Sequence, residues 1–166
     1  MMKFSDTKIA KIYKGKALIA DPVYQYIWFT VSTSDFPEEK TEKDLIDSPW
    51  VQRLRRIHQL QSARWVYPAA EHTRFPHSLG TMHMAGEFGR YLYPSLKEIF
   101  PHTPSINFVE ELLRVGGLLH EVGHGPDGKF FDDNFLNQYG LTHEILGQNI
   151  IIKKLGRLIR GIQRSP

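Results

Sequence analysis

Three short stretches of this chain concentrate side chains that bind metals and move protons. Glu71-His72-Thr73-Arg74-Phe75-Pro76-His77 comes first, then Leu118-Leu119-His120-Glu121-Val122-Gly123-His124-Gly125-Pro126, then Leu141-Thr142-His143-Glu144. Neutral imidazoles with carboxylates suit a divalent metal ion such as Mn, Fe, Mg, Zn or Ni, and a nearby cation acidifies bound water into a nucleophile. A single histidine would carry no such meaning, because it is most often a surface or hydrogen-bonded residue. Three clusters in one chain do. His120-Glu121 closes an apolar run, and the Gly123-His124-Gly125-Pro126 turn after it leaves the backbone open to close approach by a ligand.

Helical pattern over most of the chain must position these groups. Ser48 suits an N-cap before Pro49, and Trp50, Leu54 and Ile57 recur at helical spacing, with Gln52, Arg53, Arg55 and Arg56 opposite. A second helix is expected from near Pro76 through Leu79, Met82 and Gly86 towards Leu92, with Pro94 and Pro101 punctuating its end. Its small residues Gly80, Ala85, Gly86 and Gly89 permit close helix contacts. Asn107 and Glu110 read as a capping-box variant opening a third helix, whose Val109, Leu112, Leu113, Leu118 and Leu119 supply an apolar face and whose end delivers His120. Thr142 caps a fourth, with Ile151, Leu155, Leu158 and Ile162 as its stripe.

Ahead of these helices, residues 1–47 read as a lead-in. A small hairpin is expected around Asp21-Pro22 and the β-prone run Tyr26-Ile27-Trp28-Phe29-Thr30-Val31, followed by a polar loop from Ser32 to Asp44. The fold class is therefore mainly α, a helical bundle with a small β-hairpin or irregular N-terminal lead-in. The expected organisation is one domain over 1–166, with 48–166 as its helical core.

Composition narrows the function classes. The chain has 166 residues, 41% of them hydrophobic and 23% charged, enough apolar surface for one core. It has no cysteine, which excludes disulfides and thiolate metal sites. No run of eighteen apolar residues and no apolar segment in the first ten residues points to a membrane, so the cytoplasm is the expected location. A net charge of +3 suits an anionic ligand such as a nucleotide without demanding nucleic acid. Arg53, Arg55, Arg56 and Arg64 read as a solvated face.

The motifs also occur in a telling order. Asp47-Ser48-Pro49-Trp50-Val51-Gln52-Arg53-Leu54-Arg55 precedes Gln59-Leu60, Tyr67-Pro68, His72-Thr73-Arg74-Phe75, His77-Ser78-Leu79-Gly80, and finally Leu118-Leu119-His120 with Gly123-His124-Gly125-Pro126. Together they resemble the HD-domain superfamily, and within it the deoxynucleoside triphosphate triphosphohydrolases of dGTPase-like type, over roughly Asp21 to Ile151. The resemblance implies a helical bundle holding a divalent metal ion through a His, a His-Asp pair and a later Asp, and cleavage of a dNTP into deoxynucleoside and triphosphate. By that similarity His77, His120 and Glu121 are metal ligands, and His124, Asp132 and His143 are catalytic. Gln59, Leu60, Arg74 and Lys129 are substrate-binding. The implied partners are a nucleotide, single-stranded nucleic acid as a second ligand class, and further copies of the chain in a homo-oligomer.

Three departures accompany the resemblance. Glu121 stands where the family has the Asp of its name, keeping charge and oxygen donors on a side chain one methylene longer. Lys129 stands where a catalytic histidine is usual, and lysine binds phosphate but shuttles protons poorly near neutral pH. The family's last metal-ligating Asp lies well downstream, so the reading expects a fragment or a shortened relative with exposed apolar surface on its last helix, which favours association. The alternative reading is a degenerate HD module that binds nucleotide or nucleic acid without turnover.

Overall fold

Alternation along residues 25–30 sends Ile27 and Phe29 to one face and Tyr26 and Trp28 to the other, the pattern of a half-buried strand. The computed structural model describes residues 14–162, and in it the expected hairpin forms: β1 (Lys16–Asp21) pairs antiparallel with β2 (Gln25–Thr30), Ile19 opposite Ile27. The Asp21 carboxylate accepts the N–H groups of Val23 and Tyr24 at 2.8 and 2.9 Å, which closes the turn. The first thirteen residues of the lead-in and the last four of the chain lie outside the described residues.

The polar stretch read as a loop ends earlier than Asp44, because α1 (Glu42–Ile46) begins there behind Thr41, whose N–H is accepted by Asp44 at 2.9 Å. Glu42 tolerates burial for a tertiary reason given below. Ser48 then caps α2 (Pro49–Gln52) as expected, but this helix is one turn long and tightens into a 3-10 turn over Arg53–Arg56. Two further 3-10 turns, Gln61–Trp65 and Pro68–Glu71, lead to the longest element, α3 (Arg74–Ile99). Pro94 does not end α3. It sits in the exposed last turns, where the carbonyl it leaves unpaired can reach water.

The helix α4 (Ile106–Leu119) starts at Ser105, whose hydroxyl accepts the Phe108 N–H, rather than at the Asn107/Glu110 box. Glu110 faces inward instead and takes a 2.6 Å hydrogen bond from Arg90 of α3. Leu112 and Leu113, read as part of the apolar face, are exposed. Beyond a tight turn come α5 (Lys129–Asn134), a 3-10 turn at Leu136–Tyr139, and α6 (His143–Ile150), capped by Thr142. A π-helical segment at Ile151–Leu155 passes into α7 (Gly156–Arg160). No helix among the described residues is long and apolar enough to cross a membrane.

The helices α3 and α4 pack so closely that a Cβ at Gly86 would stand 2.8 Å from Cγ of Arg114, and one at Gly117 would stand 2.9 Å from the Thr81 carbonyl oxygen. The core lies between this pair, the hairpin and the α1–α2 segment, with Ile27, Leu45, Val51, Leu54, Met82 and Leu118 fully buried. The last segment is corrected in one respect. Its stripe is not left bare: Leu155 is buried, and Ile151, Leu158 and Ile162 pack against the core. The α-helical period thus found its partner within the chain.

One buried ion pair joins these layers. Arg114 of α4 donates from Nε to Glu42 at 2.6 Å and from Nη2 at 3.0 Å, and Nη2 also reaches the Trp28 carbonyl at 2.8 Å. Its guanidinium lies 3.8 Å from the centroid of the Trp28 ring. Glu42 in turn accepts the Thr30 N–H at 2.9 Å. Glu42→Ala leaves the Arg114 charge buried without its partner, so it should lower stability by about 3–5 kcal/mol, measured by urea unfolding. Lys43→Ala, which removes an exposed pair with Asp47, should leave the midpoint unchanged.

Candidate metal centre

His77 lies in the first turns of α3 and His120 caps the end of α4, so the close packing of these helices fixes the separation of two histidines 43 residues apart. Their Nε2 atoms are 3.2 Å from each other, and Oε1 of Glu121 is 3.3 Å from His120 Nε2 and 3.5 Å from His77 Nε2. A first-row or Mg ion bound at roughly 2.0–2.1 Å with tetrahedral or octahedral angles separates its ligand atoms by roughly 2.9–3.4 Å. The three donors therefore converge at the spacing one ion requires. His120 Nδ1 lies 2.7 Å from the Gly117 carbonyl, which only accepts, so the proton of the neutral ring belongs on Nδ1 and Nε2 turns its lone pair to the site.

The extra methylene of Glu121 does not carry its carboxylate away from the histidines. Oε2 is held by an ion pair with Arg74 and lies 3.2 Å from His124 Nε2, while Oε1 stays with His77 and His120. Both Arg74 and Glu121 are buried. Burial would push the Glu121 carboxyl up, but the hydrogen bond with His120 and the charge of Arg74 outweigh it and hold the group at about 2. His77 is pushed down, chiefly by burial, and His120 is pulled up, chiefly by its hydrogen bond with Glu121.

A second cluster adjoins the first through Glu121. Asp132 places Oδ2 2.7 Å from His143 Nδ1 and 3.4 Å from His124 Nδ1, and the two imidazoles stack with centroids 3.8 Å apart and planes 16° apart. Their ring planes are too nearly parallel for the two Nδ1 lone pairs to converge on one ion, so one carboxylate facing two stacked imidazoles suits proton handling better than metal ligation. Gly123 makes the cluster: any side chain there would collide with the backbone of His143 and Gly147, so only glycine lets α6 dock at this turn. Burial, then the charge of Arg74, pushes His124 down to about 4.

The remaining expected residues are distributed unevenly. Arg74 does stand beside the candidate ligands, but its guanidinium is committed to Glu121, with Gly128 pressed so close that a Cβ there would lie 2.5 Å from Nη2. Gln59 is half-buried, its N–H bonded to the His72 carbonyl and its Oε1 buried without a hydrogen-bond partner. Leu60 is exposed, and so is Lys129, which opens α5 without a contact to either cluster. Arg53, read as part of a solvated face, is instead a positioning residue: it donates to the carbonyls of His124, at 2.7 Å, and Val122. Its carbonyl partners lie 71 and 69 residues downstream, where helical spacing around Arg53 gives no sign of them.

His124 and Glu121 set opposite ends of one acid response. Because the folded protein holds His124 at about 4 against an ordinary 6.5, the unfolded chain binds a proton first as pH falls, and stability drops from pH 6.5 towards 4. Glu121, held at about 2 against 4.5, contributes stability above pH 4.5 that is lost below it. Urea midpoints of chelator-treated protein should fall through both windows, and His124→Gln should reduce chiefly the fall in the upper one.

The chain is similar to known proteins. Residues 74–163 match the family described as HD domain. The deoxynucleoside triphosphate triphosphohydrolase SAMHD1 homolog of Dictyostelium discoideum is 32% identical over 116 residues, 70% of this chain and 22% of that protein. SAMHD1 of Homo sapiens is 39% identical over 92 residues, 55% of this chain and 14% of that protein. An uncharacterized protein of Methanocaldococcus jannaschii is 38% identical over 113 residues, 68% of this chain and 21% of its own length. The chain thus spans about a fifth or less of these relatives. A phosphohydrolase structure from Bacteroides thetaiotaomicron superposes with a TM-score of 0.62 at 28% identity, covering 89% of this chain and 34% of that one.

Proposed function

The chain belongs to the HD-domain family, and we propose that it supplies the catalytic face of a metal-dependent phosphohydrolase acting on deoxynucleoside triphosphates. The observation that carries this reading is the convergence of His77 Nε2, His120 Nε2 and Glu121 Oε1 within 3.5 Å of one another. Relatives named as deoxynucleoside triphosphate triphosphohydrolases support the substrate class. A divalent ion held by those three residues would polarise phosphate oxygens and make water nucleophilic near neutral pH.

The neighbouring residues suit the rest of the reaction. Water adds to the α-phosphorus, the bond from phosphorus to the 5′ oxygen breaks, and that oxygen takes up a proton as the deoxynucleoside leaves with triphosphate as the other product. His143, oriented by Asp132, carries the proton, while His124, neutral at physiological pH, lies between Asp132 and Glu121. The unpartnered buried acceptor of Gln59 suits a sugar hydroxyl, and Leu60 offers an apolar edge beside it. Lys129 is exposed and unengaged, available as a point charge for phosphate.

One observation favours a second reading, a module that binds nucleotide without turnover: Arg74, the expected phosphate contact, is already paired with Glu121. Triphosphate release from each dNTP by metal-supplemented protein separates the two. Release is expected, and binding seen by calorimetry without release for any metal would select the second. Elemental analysis should find metal in the purified protein and none in His120→Ala, with release lost alongside it. In His143→Ala, kcat should fall by about 10²–10⁴ with metal content unchanged.

A further inference from the structure

Most aspartates among the described residues have their carboxylates engaged. Asp21 accepts the Val23 and Tyr24 N–H groups, Asp35 pairs with Lys14, Asp44 closes the cap at Thr41, Asp47 pairs with Lys43, and Asp132 faces His143. Asp127 differs. It is exposed in the turn after His124, and its carboxylate has no hydrogen bond or ion pair among the described residues. A short side chain in that condition is free to rotate onto its own backbone.

The residue that follows makes this freedom reactive. Asp127-Gly128 is the one place in the chain where an aspartate or asparagine precedes glycine. With no Cβ at 128, nothing shields the Gly128 nitrogen from the carboxyl carbon one residue back. Both residues also lie outside helical geometry, with φ of 57° at Asp127 and 53° at Gly128. Asp133 is exposed too, but it precedes Asn134 within α5, where a larger residue and the helical backbone keep carboxyl and amide apart. The restraint on the Gly128 N–H is a hydrogen bond to the Gly125 carbonyl at 3.2 Å, the long end of the normal range.

We propose that Asp127-Gly128 is a site of spontaneous aspartyl isomerisation, which transfers the main chain from the α-carboxyl of Asp127 to its side-chain carboxyl. The Gly128 nitrogen attacks Cγ of the protonated carboxyl, an N–Cγ bond forms, and the amide hydrogen leaves with the carboxyl hydroxyl as water. Water then adds to the cyclic imide. Opening at Cγ restores aspartate, whereas opening at the α-carbonyl gives isoaspartate, with one extra methylene in the backbone. The reaction draws only on the chain and on water. The turn has little room for that methylene: Gly128 lies against Arg74, where a Cβ would stand 2.5 Å from Nη2, and its carbonyl accepts the Phe131 and Asp132 N–H groups at 3.1 and 3.4 Å where α5 begins. Isoaspartate at 127 therefore displaces the start of the helix that carries Asp132 and weakens the fold.

The test is ageing of the full chain at physiological temperature and pH, followed by trypsin digestion and mass spectrometry. The peptide from Val115 to Lys129 holds Asp127 and no other aspartate or asparagine, so isomers found in it report this residue alone. Expected are its splitting into two chromatographic peaks of equal mass, a minor form lighter by one water, and methyl transfer onto this peptide by an isoaspartyl methyltransferase. Asp127→Gly, which keeps a left-handed backbone without strain and has no carboxyl, should lose the methyl transfer. The urea midpoint should fall with ageing in the unaltered chain and hold in Asp127→Gly. A peptide that stays a single peak overturns the proposal, and so does isomerisation confined to chain aged in urea, because the fold then protects the step. Equal methyl incorporation into the aged Asp127→Gly variant places the isomerisation elsewhere and overturns it as well, and a midpoint lost equally in both chains overturns the effect on the fold.

Discussion

A buried charge that cannot be left alone organises this molecule. Arg114 has no exposed surface, and neither does Glu42, so each depends on the other for a partner. Meeting that requirement brings α1 against the end of β2, because Glu42 also accepts from Thr30, and it brings α4 under Trp28. The Arg114 stem fits only because α3 presents Gly86 to it. Hairpin, α1, α3 and α4 therefore have one mutual arrangement, and the α3–α4 spacing that results is the spacing between His77 and His120.

The metal centre repeats the same logic at smaller scale. Glu121 is a buried carboxylate whose two oxygens have different neighbours, one turned to the histidines and one to Arg74 and His124. An ionised group so placed stays charged because cations and hydrogen bonds offset its desolvation. This division keeps a glutamate oxygen beside both histidines. The additional methylene extends the reach of the side chain, and Arg74 keeps that reach directed at the centre. The consequence is that the Arg74 guanidinium is engaged by Glu121.

The two histidine clusters share a turn. Between His120 and Asp132 the chain reverses through Gly123, Gly125 and Gly128, and Arg53 secures the reversal from outside by donating to its carbonyls. Glycine at 123 admits α6, which brings His143 against Asp132. Small residues here are thus a condition for assembling imidazoles carried by three elements.

The sequence by itself marked the hairpin, the main helices and the residues of the candidate centre. Residue alternation marked the hairpin, Ser48 and Thr142 marked helix starts, histidine motifs singled out His77, His120, Glu121, His124 and His143, and the family resemblance added Asp132; the fold brings these six into two adjoining clusters. These are local signals, because spacing and capping act over a few residues. What only the tertiary structure decided is what each charged group faces. Glu42 sits in a polar stretch that reads as loop, Arg53 in a basic run that reads as solvated, and Arg74 in a motif that reads as phosphate-binding, yet each is claimed by a partner 47 to 72 residues away. A charge costs so much to bury that its partner fixes its place, and nothing in the neighbouring residues names a partner so distant in the chain.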